Sequence, residues 1–181
     1  MFHTIPVGLD GSPQPTRRPA PVLFAYDGSD LARFAIAQAA HELASGRDAA
    51  VLCVWQPADV GFLPVGGRHF DALNATEVQA AAEETAAQGA SLAERAGFRS
   101  TSLTVKAAPI WRGIVEVAED RQASLIVLGS HRRSGILGHL LGSVTAAVIA
   151  HSPVAALVVH TPEKTRAALA RGAVRTAVRV R

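Results

Sequence analysis

A chain of 181 residues, 49% of them apolar, has room for one packed domain and is too rich in hydrophobes to stay disordered. A single cysteine, Cys53, excludes an internal disulfide and a cysteine-rich metal site and fits a reducing compartment. The formal charge of +3 is unevenly spread: Val22 to His160 carry ten Lys and Arg against thirteen Asp and Glu, a balance of −3, whereas the residues after His160 reach +5. The basic character belongs to a tail, so no nucleic-acid partner is expected of the domain itself.

Residues 1–20 contain Pro6, Gly8, Gly11, Pro13, Pro15 and Pro19 and read as a disordered leader. They lack the basic start and long apolar core of a signal peptide. Pro21 to Tyr26 then reads as a buried strand, closed by Asp27-Gly28-Ser29. Ser29 or Asp30 is suited to cap a helix bearing Leu31, Phe34, Ile36 and Leu43, which Gly46 stops. Ala49 to Trp55 is a second apolar run, with Cys53 inside it as a core residue. A long loop over residues 56–73 follows, with Phe62, Leu63 and Phe70 available to pack on the domain or on a ligand.

Asn74 with Glu77 resembles a capping box that opens an Ala- and Glu-rich helix running to about Ala96, ended by Gly97. Ser102 to Val105 alternate polar and apolar, as in a third strand with one exposed face. Pro109 suits the first turn of a helix carrying Ile110, Ile114, Val117 and Ala118, with Trp111 packing at its start. Residues 123–128 form a fourth strand. A short helix from Ser143 to about His151 precedes Pro153 and a fifth strand, Val154 to Val159. His151 stands where the helix dipole favours a cation. The apolar stretch near this end is interrupted by His151 and Pro153 and is too short to span a bilayer, so no membrane partner is expected.

Strands that are continuous apolar runs, alternating with helices, predict an α/β fold with a parallel sheet covered on both faces. Right-handed crossovers favour a single doubly wound domain over residues 21–160, with five strands in the order 3-2-1-4-5. The winding then reverses between the first and fourth strands, and ligands occupy such crevices beyond the carboxyl ends of the strands. Asp27 falls there, beside the loop that begins at Gly129. Residues 161–181 form the basic tail, outside the core.

That loop is the most informative segment of the chain. It runs Gly129-Ser130-His131-Arg132-Arg133-Ser134-Gly135 and continues to Leu141-Gly142-Ser143-Val144. A buried strand, a glycine-bearing polar loop and a hydroxyl at a helix N-terminus suit an anion, because free helix N–H groups point at it and glycine lets backbone approach closely. His131, Arg132 and Arg133 can meet phosphate oxygens. No Gly-Lys-Ser/Thr follows the glycines, which excludes a Walker A loop. His131 and His139 have no partners at metal-ligand spacing, so no metal site is expected.

The same residues resemble the universal stress proteins of the UspA type, whose phosphate loop is Gly-x2-Gly-x9-Gly-Ser/Thr. Gly129, Gly142 and Ser143 fall on that spacing, and Arg132 replaces the second glycine. Asp27-Gly28-Ser29 and Val54-Trp55 match the family's other landmarks, so the resemblance spans about residues 21–160. It implies an ATP-binding domain, with Mg as a possible companion and AMP as a possible ligand. Ala25 and Asp27 would flank the nucleoside and Val54 the adenine. Gly129, Ser130, His131, Arg132, Arg133, Ser134, Gly135, Gly142, Ser143 and Val144 would hold the phosphates.

The resemblance further implies a cytoplasmic homodimer, paired through the fifth strand and acting in stress response with a protein partner. No catalytic set is legible, and at most slow ATP hydrolysis is implied. Two alternatives stay open: a dimeric interaction scaffold of the same fold, its site blocked by Arg132, and a nucleotide-dependent ligase or transferase relative.

Overall fold

The computed structural model describes residues 19–56, 72–130 and 142–160. They form β1 (Val22–Ala25), α1 (Asp30–Glu42), β2 (Asp48–Trp55), α2 (Ala72–Arg95), β3 (Arg99–Lys106), α3 (Ile110–Asp120), β4 (Leu125–Ser130), α4 (Ser143–His151) and β5 (Ala156–His160). All strands are parallel and lie in the order β3-β2-β1-β4-β5, as the alternating pattern predicts. The central strands are continuous hydrophobes because both faces are covered. On one face α1 and α2 bury Phe24, Val51 and Val127 with Ala35, Ile36 and Ala93; on the other, α3 and α4 bury Leu23, Leu52 and Ile126 with Ile114 and Val148. Phe98 meets Phe24 edge-on at 5.1 Å between ring centroids.

Several boundaries differ from the expectations, each for a local reason. Helix α2 starts at Ala72, so Asn74 lies within its first turn rather than at a cap. Strand β3 runs the full length of β2, from the pair Asp48–Arg99 to the pair Trp55–Lys106, so its polar start belongs to the strand as well. Pro109 is the cap residue preceding α3, one position before the first turn. Strands β4 and β5 both begin two residues late. Ala123 N–H still closes α3 on the Ala118 carbonyl, and Ser152 Oγ accepts from Val154 N–H in a turn. Both strands also run on, so that Gly129 and Ser130 pair with Val159 and His160.

Trp111 does pack, by stacking on His151 at 4.5 Å between centroids, which joins the start of α3 to the end of α4. Cys53 is buried beside Ala82 and Ala86, as expected. Residues 1–18 of the expected leader, the tail 161–181, and Phe62, Leu63 and Phe70 lie outside the described residues.

Candidate functional site

The site starts where β1 stops. Tyr26 N–H still bonds to the Leu52 carbonyl at 2.9 Å, and then the chain turns through Gly28, whose φ of +79° is one that L side chains rarely adopt. Ser29 N–H donates to Asp27 Oδ1 at 3.0 Å, and Ser29 Oγ accepts from Ala32 N–H at 3.2 Å as the cap of α1. Asp27 is therefore a turn residue, but one contact uses little of its capacity. An ionised carboxylate can accept about four hydrogen bonds, and Asp27 is exposed at the crevice mouth. Burial, reinforced by the Asp27 charge, pushes the Cys53 thiol above its ordinary range.

Opposite Asp27, Gly129 is the last residue but one of β4. A Cβ there would come within 2.7 Å of the Leu31 carbonyl oxygen and 3.1 Å of Ala32 N, so glycine is what lets the first turn of α1 seat on β4. The next residue, Ser130, is buried, and its carbonyl oxygen lies 3.3 Å from His160 Nδ1. Across the loop, α4 opens with Gly142 as its cap residue and no side-chain cap bond; Ser143 is thus the first helical residue. The first intrahelical bond, from Ala146 N–H to the Gly142 carbonyl at 2.9 Å, leaves the N–H groups of Ser143, Val144 and Thr145 without helical acceptors. Gly142 has φ −56°, and among the described residues nothing lies within 4 Å of where its Cβ would be.

Between these ends lies a crevice of about 190 Å³. One wall is Leu52 and Val54 from β2 with Ala25 from β1; the facing wall is Ile110 and Ile114 from α3. Gly113 draws α3 close to β2, since a Cβ on it would lie 3.2 Å from Val54 Cγ1. Leu128 and Gly129 form the floor, and Val144 and Thr145 close the α4 side. The result is an apolar slot with one carboxylate at its rim and a helix N-terminus at its end. The walls suit an apolar group, a hydroxyl donor suits Asp27, and an anion suits α4.

Of the residues singled out in the sequence, Ala25, Asp27, Val54, Gly129 and Val144 line this crevice. Ser143 and Gly142 are exposed at the start of α4 and Ser130 is buried at the end of β4; none of the three lines it. His131, Arg132, Arg133, Ser134 and Gly135 lie outside the described residues. Ile110, Ile114, Leu128 and Thr145 were not anticipated as lining residues. Their apolar helical or strand spacing signals only burial, and a crevice wall made of core side chains leaves no separate mark.

A sequence model of the universal stress protein family matches residues 20–160. The chain belongs to the universal stress protein family. It is 37% identical over 143 residues to a universal stress protein of Mycobacterium tuberculosis strain H37Rv, an alignment covering 75% of this chain and 43% of the relative. It is 35% identical over 149 residues to one from Mycolicibacterium smegmatis, covering 77% and 45%. The chain thus spans less than half the length of these curated relatives. Among solved structures, a universal stress protein from Archaeoglobus fulgidus superimposes with a TM-score of 0.56 at 23% identity, over 76% of this chain and 96% of that one. Two further neighbours were solved with ligands, one universal stress protein with cAMP and the Archaeoglobus fulgidus protein with dAMP; each superimposes with a TM-score of 0.53, at 24% and 23% identity. The first pair covers 81% of this chain and 100% of the other, the second 78% and 98%.

Proposed function

We propose that this chain binds an adenine nucleotide, ATP in the first instance and AMP as an alternative ligand, and uses it to signal in a stress response. The observation that carries the reading is the crevice where the winding of the sheet reverses. Its apolar slot, the spare acceptor capacity of Asp27 and the uncapped start of α4 match, in order, a base, a ribose and a phosphate. The relatives solved with cAMP and dAMP support an adenine ligand for the fold. Among the described residues no group of three or more His, Cys, Asp or Glu could hold a metal ion.

The proposed role is binding and sensing rather than catalysis. Asp27 is the one carboxylate among the crevice's described residues, and the lining hydroxyls are those of Tyr26, Ser29 and Thr145. A homodimer paired through β5, and a cytoplasmic setting, complete the reading. Among the described residues no helix is long and apolar enough to cross a membrane.

The test is thermal unfolding of the full chain with increasing Mg-ATP or AMP, alongside Arg132→Gly. A ligand at 100 times its Kd adds about 2.7 kcal/mol, which raises the melting temperature by roughly 5–10 °C. A shift in the wild type supports the reading. A shift in Arg132→Gly alone means that the arginine blocks the site and favours the scaffold alternative. No shift in either protein removes the nucleotide.

A further inference from the structure

Between α1 and α2 lies a groove of about 570 Å³, with Arg33 on the α1 side and Ser91, Leu92 and Arg95 on the α2 side. Tyr26, which follows β1, is its buried wall at 3% exposure. Gly89 lets α2 press onto that ring, since a Cβ there would lie 2.7 Å from Tyr26 Cδ1. Tyr26 also lines the nucleotide crevice, but its hydroxyl is on the groove side, where it accepts from Arg33 Nε at 3.4 Å. That is the phenol's one hydrogen bond among the described residues, so its own proton has no acceptor. A buried donor without an acceptor is costly, and this one stands beside two guanidinium groups with capacity to spare. Arg33 reaches the Asp30 carboxylate only at 3.8 Å, with both side chains about half exposed. Arg95 donates to Ser91 Oγ at 2.7 Å and pairs with no carboxylate among the described residues.

We propose that the α1–α2 groove is a second ligand site, which takes a small organic carboxylate with an apolar body through the Tyr26 hydroxyl, Arg33 and Arg95. An ionised carboxylate is an acceptor only, so it satisfies the phenol proton and both guanidinium groups at once. The groove has the volume of a site for a small organic molecule rather than for a bare ion, and Leu92 and Ala87 give the ligand's body apolar surface to lie on. The lining carries two positive charges, Arg33 and Arg95, against one negative, Glu84, a surplus of one. Gln88 Nε2 donates to Glu84 Oε1 at 3.2 Å and holds that carboxylate on the groove. A monoanion matches the surplus, whereas the second charge of a phosphate monoester would meet Glu84. Neither arginine lines the nucleotide crevice, so the groove is a separate site and stands whether or not a nucleotide binds.

The test is titration of hexanoate into the isotope-labelled full chain, followed by the backbone amide resonances, with acetate, inorganic phosphate and hexylamine as comparison probes. Hexanoate should move the amides of Arg33, Gln88, Ser91 and Arg95 saturably, with a Kd on the order of 1 mM. Acetate has the charge without the body and should bind about tenfold more weakly or worse; phosphate should also bind more weakly than hexanoate, and hexylamine should leave these amides in place. Arg95→Gln and Tyr26→Phe should each weaken hexanoate about tenfold or more, the loss expected of a hydrogen bond to a charged oxygen. Arg112→Gln, which removes an exposed charge on α3, should stay within about twofold of wild type. Arg95 is exposed, so its replacement leaves the core intact and the proposal remains testable even if Tyr26→Phe fails to fold. Absence of a saturable shift with hexanoate overturns the proposal, as does an equal response to hexylamine or tighter binding of phosphate. Unchanged affinity in Arg95→Gln, or an equal loss in Arg112→Gln, overturns it too, because the anion would then be drawn by general charge and not by the groove.

Discussion

Gly129 joins two requirements that look alike in sequence and are different in space. Its place in the loop motif suggests backbone approach to a ligand, yet the nearest atoms to a Cβ would be the Leu31 carbonyl oxygen and carbon and Ala32 N, which belong to a helix rather than to a swinging side chain. Gly129→Ala must therefore push the first turn of α1 off β4. The expected loss is about 2–3 kcal/mol, at the upper end of overpacking penalties because backbone cannot step aside. In a chain of this size that lowers the melting temperature by roughly 5–10 °C, read by circular dichroism without ligand. An alanine variant that melts like wild type would return the glycine wholly to ligand binding. Asp27 shows the opposite economy: the turn uses one oxygen and leaves the rest of the carboxylate for a partner, so a turn role and a ligand role coexist.

At the level of elements, Gly89 shows how packing overrides propensity. It sits inside the 24-residue α2, where alanine would gain about 1 kcal/mol in intrinsic helix stability. A Cβ there would come within 2.7 Å of both the Tyr26 ring and Val51 Cγ1, and those two side chains are buried at 3% and 0% exposure. Overpacking costs about 1–3 kcal/mol, so Gly89→Ala should destabilise on balance, with the denaturation midpoint falling in urea at unchanged slope. The sheet was legible in the sequence because Val22–Ala25, Asp48–Trp55 and Leu125–Ser130 are near-continuous hydrophobes separated by helical spacing. Element ends were less legible. Asn74 and Glu77 have the composition of a cap, but nothing local in the sequence says whether a helix starts there or two residues earlier.

For the whole molecule, the two edges of the sheet are not equivalent. Strand β3 exposes Arg99 and Lys106, whose charges discourage pairing, whereas β5 presents the uncharged run Ala156 to Val159. Ile149 on neighbouring α4 is 47% exposed and extends the apolar margin. Pairing is therefore expected across β5, with the same surface on both copies. Light scattering at micromolar concentration should give twice the chain mass for wild type. Ala156→Lys, a charge on an exposed position of that edge, should give a monomer that keeps the far-ultraviolet dichroism of the fold. A wild-type monomer would remove the pairing. The last residue of this edge, His160, has its ring nitrogen Nδ1 3.3 Å from the carbonyl oxygen of Ser130, the last residue of β4. In the proposed reading a partner on β5 would sit beside the end of β4, and any coupling between association and ligand binding would act equally in both directions. The molecule would weigh nucleotide against its own abundance, holding ligand more or less firmly according to how many copies are present to meet.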